Sequence, residues 1–208
     1  MRITVGAPKG GAGKTTTAGH LAVLMASSGR TLGLDCDPEQ PSLKKWADRA
    51  EDWPVERCNI VREASRNLAR NISPMVGDYA NVIFDIGAKN PVLLRQAMSL
   101  SDILIVPSKA TDGDLLELQE VFEIAAEVDA THAIRPVVLL TMIRGGTNEE
   151  KDARAYLAEL GLPVFETAIP VLRQYGQMRY APAVDEGGEY ADLYAELVAM
   201  HQGLGVAQ

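Results

Sequence analysis

The stretch Pro8-Lys9-Gly10-Gly11-Ala12-Gly13-Lys14-Thr15-Thr16 constrains this chain more than any other. It follows a short apolar run at 2–7, which reads as a buried strand. It precedes Leu21, Leu24, Met25 and several alanines at helical spacing over 14–28. Glycines Gly10, Gly11 and Gly13 let the backbone turn successive N–H groups toward an anion, and the helix that follows adds its positive end. Lys14 is then placed to reach β- and γ-phosphates. The Thr15 hydroxyl can ligate Mg²⁺, and Thr16 can serve the α-phosphate. The stretch departs from a plain G-x-x-x-x-G-K-[ST], because Pro8 stands where the first glycine would be. It reads instead as x-K-G-G-x-G-K-[ST], with Lys9 an added cation on the outer lip of the loop.

Further apolar runs alternate with helical patterns along the 208 residues. Strands are expected at 31–35, 55–58, 82–87, 102–107, 136–143 and 164–169, which with the first makes about seven. Such alternation predicts an α/β fold: a single doubly wound domain over 1–208 with a mainly parallel sheet flanked by helices. Two strands end in carboxylates, Asp35 (followed by Cys36-Asp37-Pro38) and Asp85. In a parallel sheet these tips lie beside the loop, where ligands bind. The Asp37-Pro38 pair could also cap the helix that follows at 42–50, and Asp85 could instead cap the helix that opens at Asn90-Pro91.

The net charge of −8 argues against a broadly basic nucleic-acid surface, though not against a local patch. Arg62, Arg66 and Arg70 recur every four residues on a helix expected at 62–76. That stripe is either a solvated face, the favoured reading, or a contact for phosphates. No apolar run approaches the roughly 20 residues of a membrane span. Cys36 and Cys58 do not form C-x-x-C. With a strand already at the start and no leader pattern, a cytoplasmic protein is expected.

Lys9 with the loop, Asp35-Cys36-Asp37-Pro38 and Asp85 together resemble the ParA/MinD superfamily of deviant Walker A ATPases, closest to its small ParA-type, ParF-like partition members. The resemblance spans nearly the whole chain. It implies a P-loop NTPase that binds ATP and Mg²⁺ through Gly10, Gly11, Ala12, Gly13, Lys14, Thr15 and Thr16. Thr15, Asp35 and Asp85 would attend the metal. Asp37 would orient the attacking water, and Lys9 would cross to the nucleotide of a second subunit. Gly87-Ala88-Lys89-Asn90 falls at switch II, and Thr111 and Asp114 fall at a dimer-face motif in which Ala110 replaces a proline. Glu39 replaces a glutamine, and Thr141 replaces an asparagine that often reads adenine. The backbone at Ile169, Pro170 and Val171 would pack on the adenine, and Arg173 and Arg179 would touch DNA.

The function so implied is a partition or positioning switch for a plasmid, chromosome or large cytoplasmic cargo. It would form an ATP-state homodimer, bind non-specific DNA at the nucleoid and respond to a ParB-like or other adaptor. A MinD-like membrane regulator would need a basic amphipathic C-terminal helix. The expected helix at 189–202 carries Glu189, Asp192 and Glu196 and no lysine or arginine, so membrane binding is disfavoured. An iron–sulfur-linked member would need other cysteines. A dethiobiotin-synthetase-like enzyme would have no need of Lys9.

Overall fold

The structure is a computed structural model that describes residues 1–88, 90–171 and 188–206. Its centre is a seven-stranded sheet in which every pairing is parallel. The strands are β1 (Arg2–Val5), β2 (Thr31–Asp35), β3 (Cys58–Arg62), β4 (Asn81–Asp85), β5 (Ile103–Lys109), β6 (Arg135–Ile143) and β7 (Ile169–Pro170), in the spatial order β3-β2-β4-β1-β5-β6-β7. The helices are α1 (Lys14–Met25), α2 (Ser42–Arg49), α3 (Leu68–Val76), α4 (Pro91–Met98), α5 (Asp112–Leu116), α6 (Leu118–Asp129), α7 (Glu149–Glu159) and α8 (Glu189–Val206).

Strands β2 and β4 are buried at every position, as expected for a sheet covered on both faces. The two faces are sorted by strand alternation. Leu32, Leu34, Val82, Phe84, Leu104, Val138 and Leu140 join one core with α3, α4, α6 and α7. Ile3, Val5, Ile83, Ile103, Ile105, Val137 and Leu139 join the other with α1, α2 and α8. Helix α8 is a working part of that second layer. Its Leu193 and Leu197 are fully buried, and Tyr190 stacks on His20 of α1 with ring centroids 4.4 Å apart. Among the described residues, no helix is long and apolar enough to cross a membrane.

The neighbouring strands β1 and β4 send their following helices, α1 and α4, to opposite faces. Their C-terminal ends therefore part and leave a crevice, the position where open α/β sheets bind ligands. Val5 and Asp35 both stand in register with Asp85, so the phosphate loop and both carboxylate tips meet there.

Two expectations about the chain between β2 and β4 are corrected. The strand expected at 55–58 forms instead at Cys58–Arg62. Residues 53–57 are held in turns by bonds such as Arg57 N–H to Pro54 O, and the ladder with β2 then runs Thr31–Asp35 against Cys58–Arg62. The Arg62–Arg66–Arg70 stripe is dissolved by the same shift. Arg62 ends a strand, Arg66 lies in the turn before α3, and only Arg70 is helical. The Arg62 guanidinium donates 2.8 Å to Pro38 O, which pins the loop after β2.

Candidate nucleotide site

The loop between β1 and α1 takes the shape that its glycines permit. Gly11 and Gly13 have φ of 75° and 83°, the left-handed region that side chains with a Cβ resist. Gly13 opens α1 without any side-chain cap, and no acidic residue occupies the first turn. No residue of α1 itself covers the positive end of the helix, which faces the crevice. The Lys14 Nζ donates 2.8 Å to the Lys9 carbonyl, so the loop closes around its own lysine.

Gly10, Gly11, Gly13, Lys14, Thr15, Thr16, Asp37 and Asp85 line one cleft of roughly 740 Å³. This is an ordinary volume for a cofactor-sized ligand. Pro38 to Gln40, Ser42, Ile86, Gly87, Ala88, Asn90 and Met142 complete its wall.

The carboxylates are arranged in depth. Asp85 is 3% exposed, and burial raises its pKa to about 7, partly offset by the Thr15 hydroxyl bonded to it and by the Lys14 charge. Burial, opposed by backbone hydrogen bonds, also raises Asp35. Both Asp35 oxygens are engaged by backbone: Oδ1 accepts from Asp37 N at 3.2 Å and Oδ2 from Lys44 N at 2.9 Å. Asp35 therefore caps α2 from a distance. Asp37 does not cap; its Oδ1 accepts from Glu39 N and Gln40 N, both at 2.9 Å, and shapes the loop. Nor does Asp85 cap α4, because the Asn90 side chain does, accepting from Leu93 N at 3.2 Å.

Asp37 reaches across to the loop after β4. A Cβ on Gly87 would stand 2.8 Å from both Cγ and Oδ2 of Asp37, so the absence of a side chain at 87 is what lets the two loops touch. Burial lowers the pKa of Lys14, opposed by the charges of Asp85 and Asp37. Two buried carboxylates, a third at the mouth and one desolvated ammonium form a set that awaits further positive charge and an anion. The residues present therefore fit a phosphate-bearing ligand with a hard divalent cation.

Lys9 behaves differently from Lys14. Its side chain is 47% exposed, and Nζ lies 3.4 Å from Asp114 and 3.9 Å from Glu117, outside the cleft. Asp114 is itself held by the Thr111 hydroxyl at the start of α5.

On the far side of the cleft, Ile169 is 4% exposed and belongs to the core, so its side chain is not at the cleft wall. Thr141 is consumed structurally, its hydroxyl lying 3.0 Å from Ala12 O and 3.2 Å from Ser108 O. Sequence reasoning missed Met142 here. It is 40% exposed, lines the cleft and has φ of 56°, the one described non-glycine residue at positive φ. It also missed Lys109, whose Nζ would stand 3.9 Å from a Cβ placed on Gly11. The signal for Lys109 was its place at the tip of a strand beside the loop. Arg173 and Arg179 lie outside the described residues. Cys36 and Cys58 are buried, and burial pushes both thiols up, Cys58 to about 12.

Residues 3–177 match the CbiA family, described as the CobQ/CobB/MinD/ParA nucleotide binding domain. The chain belongs to this family. It is 30% identical to Protein ParA of Rhizobium radiobacter over 95% of this chain and 94% of that one. It is 32% identical to the maintenance of carboxysome distribution protein A of Gloeobacter kilaueensis over 77% of this chain and 72% of that protein. Among solved structures, cobyrinic acid a,c-diamide synthase from Mycobacterium smegmatis with bound ATP analogue and magnesium has the same fold. Its TM-score is 0.75 at 18% identity, over 97% of this chain and 95% of that one.

Proposed function

We propose that this family member is an Mg²⁺-dependent ATPase of ParA type that works as a dimerising switch. It would bind non-specific DNA in its ATP state, answer to an adaptor protein and position a plasmid, chromosome or other large cytoplasmic cargo. The observation that carries this reading is the division of labour between two lysines on one loop. Lys14 is folded into the cleft on the Lys9 carbonyl, while the Lys9 ammonium points out to the lip. A loop that only had to hold phosphates would gain little from the second cation. A loop that also serves a neighbour's phosphates needs it there.

Thr15, Asp35 and Asp85 would hold the magnesium shell, with Asp35 acting through the loop that it fixes. Bound magnesium would supply charge neutralisation at the phosphates. The remaining work belongs to the chain. Gly10 to Thr16 offer backbone N–H groups, Lys14 bears on the outer phosphates, and Asp37 orients water against the γ-phosphate. The contact of Asp37 with Gly87 ties the water-orienting loop to the loop after β4, so loss of the γ-phosphate would loosen both together. Lys9 of one copy would leave Asp114 and Glu117 and meet the nucleotide of the other.

The reading is tested with a random-sequence duplex at moderate salt, with ATP, with ADP and without nucleotide. Duplex binding and dimers that appear only with ATP are expected, and both should weaken in a Lys9→Ala variant. Binding that is indifferent to nucleotide, or a Lys9→Ala variant normal in dimerisation and turnover, would overturn it. Replacement of Arg173 and Arg179 is expected to weaken duplex binding in a salt-dependent manner.

A further inference from the structure

Helix α5 holds Lys9 through Asp114, joined by Glu117 just after it, and the helix also walls a second hollow of roughly 410 Å³ against α7. The floor is apolar: Leu115 and Ala153 are buried, and Tyr156 is half-buried. Leu116 stands beside it 66% exposed, on a helix of only five residues. The rim carries Asp112, Glu149 and Asp152, all exposed. Among the described residues none of these three is in an ion pair, whereas the adjacent Glu150 is matched by Arg154 at 2.8 Å. Carboxylates in the first turns of α5 and α7 do favour those helices. That role accounts for the acids but leaves an exposed leucine over an open apolar hollow without a purpose.

The charge pattern selects the occupant. A second copy meeting this face about a two-fold axis would set three carboxylates against three carboxylates. A segment with aliphatic side chains on one face and lysine or arginine on the other would fill the hollow and match the rim. Because α5 is short and carries Asp114, with Glu117 next in the chain, whatever seats on Leu116 and Asp112 bears on the element that holds Lys9. We propose that the α5–α7 groove docks a basic amphipathic segment of the adaptor protein, and that docking acts on Lys9 through α5. The adaptor and the part played by Lys9 rest on the function proposed above; the docking itself does not.

The test uses the full chain and a labelled synthetic helical peptide with leucines on one face and lysines on the other, followed by fluorescence anisotropy without nucleotide. Saturable binding is expected. It should weaken about tenfold in Asp112→Lys/Glu149→Lys/Asp152→Lys and severalfold in Leu116→Ser. A control with the same charge change elsewhere, Glu51→Lys/Asp52→Lys/Glu56→Lys, should stay within about twofold of the native chain. Equal loss in both triple variants, or none in Leu116→Ser, overturns the groove. In a second arm, the peptide should accelerate ATP turnover by the native chain and not by the groove variants. Groove-dependent binding without acceleration removes the link to Lys9. Groove-dependent binding to a chain that hydrolyses no ATP upholds the docking and sinks the ATPase reading. A groove variant that loses ATP-dependent dimers would assign the face to a second copy and overturn the proposal.

Discussion

The two halves of the cleft are built by different means. The phosphate half is made of consecutive residues, Gly10 to Thr16, and of carboxylates on strand tips locked in register at the middle of the sheet. The far half is made by the sheet's edge. There β7 is only two residues long, and its pairing with β6 slips in register between Thr141 and Ile143. Met142 occupies that slip at φ 56°. Charge and backbone geometry dominate the first half, whereas a local bend and one apolar side chain dominate the second. Disturbances of the phosphate half should therefore be large and electrostatic, and those of the far half small and steric.

The largest effect is expected in the protein without nucleotide. Asp85 has a pKa of about 7 in the fold against an ordinary value of 3.8. The folded form keeps this proton to a higher pH than the unfolded chain does. Its contribution to stability is complete below the ordinary carboxylate range and is lost as pH climbs through about 7. Asp85→Asn should thus be more stable than the native chain at pH 8, by an amount on the order of 4 kcal/mol, with the gap closing toward pH 4. Thermal melts across that range check it, and a constant gap would break the account. The same variant should lose the added stability that Mg²⁺ and ATP confer on the native chain.

Lys14→Ala removes the one buried cation among these carboxylates. ATP affinity by calorimetry should fall about a hundredfold or more, near 3 kcal/mol. Next come the loops that touch. Asp37→Ala should bind ATP within about threefold of the native chain yet turn over about a hundredfold more slowly. Gly87→Ala, which sets a methyl 2.8 Å from the Asp37 carboxylate, should lose about tenfold in turnover for a purely positional reason. Turnover unchanged in Gly87→Ala would show that the two loops do not act together.

The phosphate half was legible in the sequence because its information is local. Three glycines, a lysine and two threonines in one run dictate the loop, and Asp35 and Asp85 each end a continuous apolar strand. The arrangement of β3 was not legible. Where that strand begins depends on pairing with β2, a partner more than twenty residues away, so the local pattern alone extends back to Arg62 a helix that starts only at Leu68. Asp35 was legible as a site residue but not as the remote cap of α2, because Lys44 N reaches it through folding of the intervening loop. Met142 lay hidden because positive φ in a strand-like apolar run has no marker when the residue is not glycine. Lys9 is legible as an outward cation, but its cis partners Asp114 and Glu117 lie a hundred residues on and come together only in the fold.

The smallest effect should fall in the far half and carries the most information about it. Met142→Gly removes a side chain from a backbone conformation that costs roughly 1 kcal/mol, so the nucleotide-free protein should melt a few degrees higher. It also removes an apolar wall of the cleft, so ATP affinity should fall about fivefold, near 1 kcal/mol. Stability and affinity then move in opposite directions, which no loss of core packing would produce. Ile169→Ala should move stability alone. Its buried side chain costs about 2–4 kcal/mol of stability, while affinity measured well below the melting range holds. If Met142→Gly leaves affinity untouched and Pro170→Gly weakens it, the base rests on the strand at Ile169–Pro170 after all. The slip at Met142 would then be strain without a role in binding.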